Sequence, residues 1–76
     1  MDRLLDARGL ACPVPALKAR AALAELEAAD ALVVLATDPE APIDVGALAA
    51  EGGRPFRAER DAIGHWRLRI GEDPRP

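Results

Sequence analysis

Apolar positions in this chain follow three patterns, and each predicts a different kind of element. From Ala16 to Ala28 they recur at helical spacing. At about 100° per residue, Ala16, Ala19, Ala22, Leu23 and Leu26 share one face, which is expected to pack on a sheet. From Ala31 to Ala36 the run Ala-Leu-Val-Val-Leu-Ala is apolar throughout, which suits a strand in the middle of a sheet. In the last third the pattern alternates. Over Pro55 to Arg60, Phe56 and Ala58 face one way and Arg57 and Glu59 the other; over His65 to Ile70, Trp66, Leu68 and Ile70 alternate with Arg67 and Arg69. With Asp61 to Gly64 as the turn, this predicts an antiparallel hairpin with one buried and one wet face.

Two further elements complete the chain. Arg3-Leu4-Leu5-Asp6 predicts a short strand. Thr37 to Pro42 is a turn-rich link, and a second helix is expected from about Ile43 to Glu51, stopped by Gly52-Gly53. The order is βαβαββ. Its first three elements form a βαβ unit with parallel strands and a right-handed crossover. Both helices are expected on one face of the sheet. Without internal repeats or a long linker, residues 1–76 are expected to make one domain, with a frayed tail from Gly71 to Pro76.

Composition narrows the function. Phe56 and Trp66 are the only aromatics, so the core is built from Ala, Leu, Val and Ile. One cysteine cannot form an internal disulfide, which argues against a disulfide-stapled secreted domain and for the reducing cytoplasm. No N-terminal apolar run is long enough for a signal peptide or a membrane span. The net charge of −3 does not favour non-specific nucleic-acid binding. Arg57, Arg67 and Arg69 share the open sheet face, but Phe56 and Trp66 point away from it, so a base-stacking platform for RNA is missing. One Cys and one His fall short of a metal-ligand set, and nothing pairs Cys12 with His65 as a hydrolase would require.

The candidate chemistry lies in Gly9-Leu10-Ala11-Cys12-Pro13-Val14-Pro15. Cys12 stands where a strand hands over to a helix. Pro13 and Pro15 fit the first and third helical positions, with Cys12 as the N-cap. The unpartnered amides of Val14 and Ala16 would then face the sulfur, and the helix dipole would add partial positive charge. A thiol so placed is expected to ionise below about 8.5, and the thiolate is the nucleophile. Gly9 permits a backbone turn that other residues resist, and Arg8 is the nearest cation in sequence. The competing reading of Cys12 is a small buried apolar residue, though such a filler needs neither proline.

Three other features stay open between a bland and a functional role. Val14, Leu17, Ala21 and Ala24 form an apolar stripe bordered by Lys18, Arg20, Glu25 and Glu27, either plain surface or a docking patch for a partner protein. Lys18 either lends positive potential to the thiolate or is solvated beside Glu25. Asp38, at the end of the second strand on the Cys12 side, either orients the Cys12 loop, meets a partner, or accepts local turn amides.

Leu5 to Pro15, Lys18, Ala36-Thr37-Asp38-Pro39, Asp44-Val45 and the Gly64 turn together resemble the TusA/SirA-like sulfur-carrier family over nearly the whole chain. The resemblance implies an α+β two-layer sandwich with a four-stranded mixed sheet. It implies that Cys12 accepts sulfane sulfur as a persulfide and hands it on, with little catalysis of its own and no cofactor. The implied donors are a cysteine desulfurase or a rhodanese-like protein. The acceptor would be another sulfur-relay protein leading to tRNA thiolation, molybdenum-cofactor maturation or sulfur oxidation. Two positions depart from the family pattern: Ala29-Asp30 where glycine is common before the second strand, and Gly46 where proline is common. The residues by themselves also admit a non-covalent adaptor or regulatory module in which Cys12 is structural, and they do not specify an oligomeric state.

Overall fold

The computed structural model describes residues 2–27 and 29–72. Its elements are β1 (Asp2–Ala7), α1 (Val14–Leu23), β2 (Ala31–Ala36), α2 (Ala41–Glu51), β3 (Phe56–Arg60) and β4 (Trp66–Ile70). They form one four-stranded sheet in the order β1-β2-β4-β3. β1 and β2 run parallel, and β4 is antiparallel to both β2 and β3. The hairpin therefore inserts its second strand beside β2 and leaves β3 at the edge. The α+β sandwich with a mixed sheet is the architecture expected, with α1 packed on β1 and β2 and α2 on β4 and β3. No helix among the described residues is long and apolar enough to cross a membrane.

Register decides which side chains meet. Ala36, Val34 and Leu32 of β2 stand opposite Trp66, Leu68 and Ile70 of β4, and all six belong to or pack against the core under the helices. Ala19 and Ala22 of α1, and Ala41, Val45 and Ala49 of α2, meet them from the other layer. The many alanines let the helices sit close to the sheet. Gly46 shows the same economy: a Cβ there would stand 3.1 Å from Cε2 of Phe56, so the glycine makes room for the ring. The open face carries Val33 and Leu35 flanked by Leu4, Arg67 and Arg69. Arg69 donates to Asp2 Oδ2 at 2.9 Å, and that contact holds the Asp2 carboxyl below its ordinary range. Arg57 pairs with Glu59 at 3.6 Å. This is the solvated charged face expected, with Asp2 as an added partner.

Several boundaries differ from the sequence expectation. α1 ends at Leu23, not near Ala28, which itself lies outside the described residues. Beyond Leu23 the amides of Glu25 and Leu26 bond three residues back, to Ala22 and Leu23, a tighter coil that still turns Leu26 onto the core. α1 starts at Val14, and α2 starts at Ala41 with Pro42 in its first turn, where a missing N–H costs nothing. β1 is longer than expected by a residue at each end, because Asp2 pairs with Ala31 and Ala7 with Ala36. The start of the expected frayed tail is tied down: the Gly71 amide donates to the Pro55 carbonyl at 2.9 Å and Arg69 donates to the Glu72 carbonyl. Residues 73–76 of that tail lie outside the described residues.

Leu68 is fully buried on β4 between two neighbouring strands. Leu68→Ala is expected to cost about 2–5 kcal/mol in urea unfolding. A chain this size holds roughly 4–11 kcal/mol in all, so the midpoint should fall sharply.

Candidate functional site

Because β1 and β2 are parallel, the loops leaving both strands emerge at one edge of the sheet, and the helices that follow begin there. The first loop turns at Gly9, whose φ of +79° suits glycine. It is fastened to the second loop at two points. The Gly9 amide donates to Thr37 Oγ1 at 2.9 Å, and the Cys12 amide donates to Asp38 Oδ2 at 3.1 Å. The other Asp38 oxygen accepts the Glu40 amide at 2.8 Å. Asp38 thus fulfils two of its three candidate roles at once, as a turn residue and as the anchor of the Cys12 loop.

Cys12 is half-buried and precedes the helix by two residues. Pro13, joined to it by a cis peptide, is the N-cap, and Pro15 sits in the first turn. This shifts the expected frame by one residue and takes one of the two expected amides away from the sulfur. The Val14 amide donates to the Ala11 carbonyl at 2.9 Å, closing the turn instead of facing the sulfur. Ala16 packs against the core. Arg8 is not the cationic neighbour either. Its guanidinium grips Asp6 at 2.8 and 2.9 Å and holds that carboxyl down to about 2.

The thiol meets an acid. Cys12 Sγ donates to Asp44 Oδ2 at 2.6 Å. Asp44 lies in the first turn of α2, and its link to the sulfur joins residues far apart in sequence. This contact, then partial desolvation, then the charges of Asp44, Glu40 and Asp38, raise the Cys12 pKa from its ordinary 9.0 to about 11. The expectation of a lowered pKa is therefore reversed. A helix N-terminus carries about half a positive charge spread over its first turn, whereas a carboxylate in hydrogen-bond contact carries a full negative one.

The remaining candidates fall around this centre. Val14 and Leu17 on α1 and Ile43 on α2 are exposed at the helix starts, Leu17 by 59% and Ile43 by 71%. Apolar surface therefore lies on both helices that open at the Cys12 edge. Lys18 shares a shallow groove with Arg3, Leu5, Ala21 and Glu25. The Glu25 carboxylate expected beside Lys18 is engaged by Arg3. His65 is in the hairpin turn, where its amide donates to Asp61 Oδ1. Among the described residues no three His, Cys, Asp or Glu side chains are grouped to hold a metal ion. Thr37 and Asp44 enter the sequence reading only as residues that carry the family resemblance, with no place at the site assigned to them. The signal for Thr37 was its place beside Asp38, and for Asp44 its place in the first turn of a helix that starts at the same sheet edge as Cys12.

A family model described as Sulfurtransferase TusA matches residues 3–71. The sulfur carrier protein TusA of Allochromatium vinosum is 35% identical over 69 residues, covering 91% of each chain. YrkI of Bacillus subtilis, named as a candidate sulfur carrier, is 42% identical over 60 residues, covering 79% of this chain and 80% of the relative. The crystal structure of a SirA-like protein from Desulfitobacterium hafniense superposes with a TM-score of 0.84 at 31% identity, covering 95% of this chain and all of that one.

The ultraviolet absorbance of the Cys12 thiolate is expected to rise with a midpoint of about 11, with little thiolate at neutral pH. The folded state favours the protonated thiol. That contribution to stability is whole below pH 9.0 and is lost as pH rises through about 11, a loss that Cys12→Ser should abolish. Asp38→Ala removes a charged acceptor from two amides and is expected to cost about 1–3 kcal/mol in urea unfolding, with faster hydrogen exchange at the Cys12 amide.

Proposed function

The chain belongs to the TusA sulfurtransferase family, and from that premise we propose that Cys12 carries sulfane sulfur as a persulfide between a donor and an acceptor protein. The observation that carries this reading is the placement of the chain's single cysteine. It is half-buried at the strand-to-helix junction, held by Asp38 through its own amide, and set at the edge where both helices begin with exposed apolar residues.

The transfer balances without a cofactor. Cys12 Sγ, giving up its proton, attacks the terminal sulfur of a donor persulfide R–S–SH. The new S–S bond forms as the old one breaks, and the donor sulfur leaves as a thiolate and takes up a proton. Cys12–SH and R–S–SH become Cys12–S–SH and R–SH, with no net oxidation. Delivery is the same exchange run onto an acceptor thiol. No second cysteine exists in the chain to attack the persulfide early. Val14, Leu17 and Ile43 offer the apolar rim a partner needs close to the sulfur, and Lys18 lies one turn along the same helix. The donor class is a cysteine desulfurase or a rhodanese-like protein. The acceptor is a relay protein feeding tRNA thiolation, molybdenum-cofactor maturation or sulfur oxidation, in the cytoplasm.

Intact-protein mass spectrometry without reductant, after incubation with a cysteine desulfurase and cysteine, tests the proposal. One added sulfur atom is expected, removable by reductant and absent in Cys12→Ser. No adduct from a desulfurase or a rhodanese-like donor, with partner binding unchanged in Cys12→Ser, would leave the non-covalent adaptor instead.

A further inference from the structure

The acidic setting of Cys12 is at odds with a nucleophile waiting for any sulfur source. The Asp44 carboxylate accepts directly from Sγ at 2.6 Å. Asp38 stands on the Cys12 amide, and Glu40 adds its charge from the same loop. The cation nearest in sequence, Arg8, is committed to Asp6. Among the described residues, the charged groups that act on the thiol are all negative, and they come from the β2–α2 loop and from α2, not from the loop that carries the cysteine.

We propose that Asp44 is a positioning residue that locks Cys12 as a thiol in the unloaded protein and excludes small anionic sulfur donors, so that loading needs a protein donor that sets a cation against Asp44. This rests on the carrier reading and adds to it the chemistry of the partner. A free polysulfide anion meets three carboxylates and a protonated sulfur. A donor protein that brings a lysine or arginine to Asp44 frees the sulfur proton to leave and neutralises the repulsion in one contact. Persulfide exchange then proceeds as above, with no reductant or oxidant added.

The test is the pH profile of Cys12 alkylation by iodoacetamide in the wild type, Asp44→Asn and Asp44→Glu. Asparagine keeps the shape and can donate to a thiolate. Its profile is expected to move down by up to about two pH units, towards the ordinary value, with desolvation and the charges of Glu40 and Asp38 left in place. At that limit the thiolate population at neutral pH rises about a hundredfold. The lower intrinsic nucleophilicity of a more acidic thiol takes back about tenfold, for a net gain of roughly tenfold. Asp44→Glu, which keeps the charge, should stay near the wild type. A purely structural role for Asp44 would leave the profile in place, and an unmoved profile in Asp44→Asn would overturn the lock.

Loading separates the two readings. With inorganic tetrasulfide, Asp44→Asn should load roughly tenfold faster than the wild type. With a cysteine desulfurase and cysteine it should gain nothing and require more donor for half-maximal rate. An equal gain with both donors would overturn the partner-borne cation. If neither form takes sulfur from either donor, the carrier reading fails, while the alkylation profile still decides the role of Asp44.

Discussion

One carboxylate joins two loops that lie 26 residues apart in the chain: Asp38 Oδ2 accepts the amide of Cys12. The contact exists only because β1 and β2 are parallel neighbours, which brings the ends of both strands to the same edge. The fully apolar β2 supports that pairing from the middle of the sheet, with β4 on its other side. If β2 moved by one residue relative to β1, its side chains would exchange faces and the Thr37 and Asp38 anchors would leave the Gly9–Cys12 loop. The site is therefore a consequence of strand register first and of local motif second.

This explains what the sequence discloses and what it does not. Element types are legible because period and composition carry them: the apolar run of β2, the alternation of β3 and β4, the helical face of Ala19 and Ala22. The strand-to-helix position of Cys12 is legible because two prolines mark a helix start. Asp44 is not legible as a neighbour of Cys12, because that contact depends on how far α2 extends toward the sheet edge. Pro42 reads as part of a link, yet it lies in the first turn of α2, and the helix thereby begins two residues earlier than expected. Likewise the Val14 amide reads as unpartnered, but moving the cap from Cys12 to Pro13 turns it onto Ala11. The end of α1 is missed because nothing between Ala24 and Glu27 breaks a helix by composition. The coil tightens there with i−3 bonds while keeping Leu26 on the core.

The sign of the electrostatics at Cys12 is where a local rule yields to a tertiary one. A cysteine near a helix N-terminus is ordinarily made more acidic. The same fold that places the cysteine there places the start of α2 beside it, and with it Asp44. Full charges at contact distance outweigh partial charges distributed over a turn. The result is a thiol whose reactivity is set by a neighbour on another helix, and so by anything that alters that neighbour.

In a carrier this has a use in both directions of transfer. Exchange at sulfur is fast when the attacking sulfur is a thiolate and when the departing sulfur is a weak base. A Cys12 held well above its ordinary pKa is slow on both counts. Under the proposed persulfide relay it is slow to take sulfur while empty and slow to be displaced when loaded, because the leaving thiolate would form against Asp44. A sulfur atom held this way is guarded against stray thiols in solution, and no second cysteine in the chain can release it. Both barriers fall together when a partner neutralises one carboxylate, so a single docking interaction can govern loading and delivery alike. The exposed Leu17 and Ile43 at the starts of the two helices give a partner an apolar foothold for bringing that charge into place.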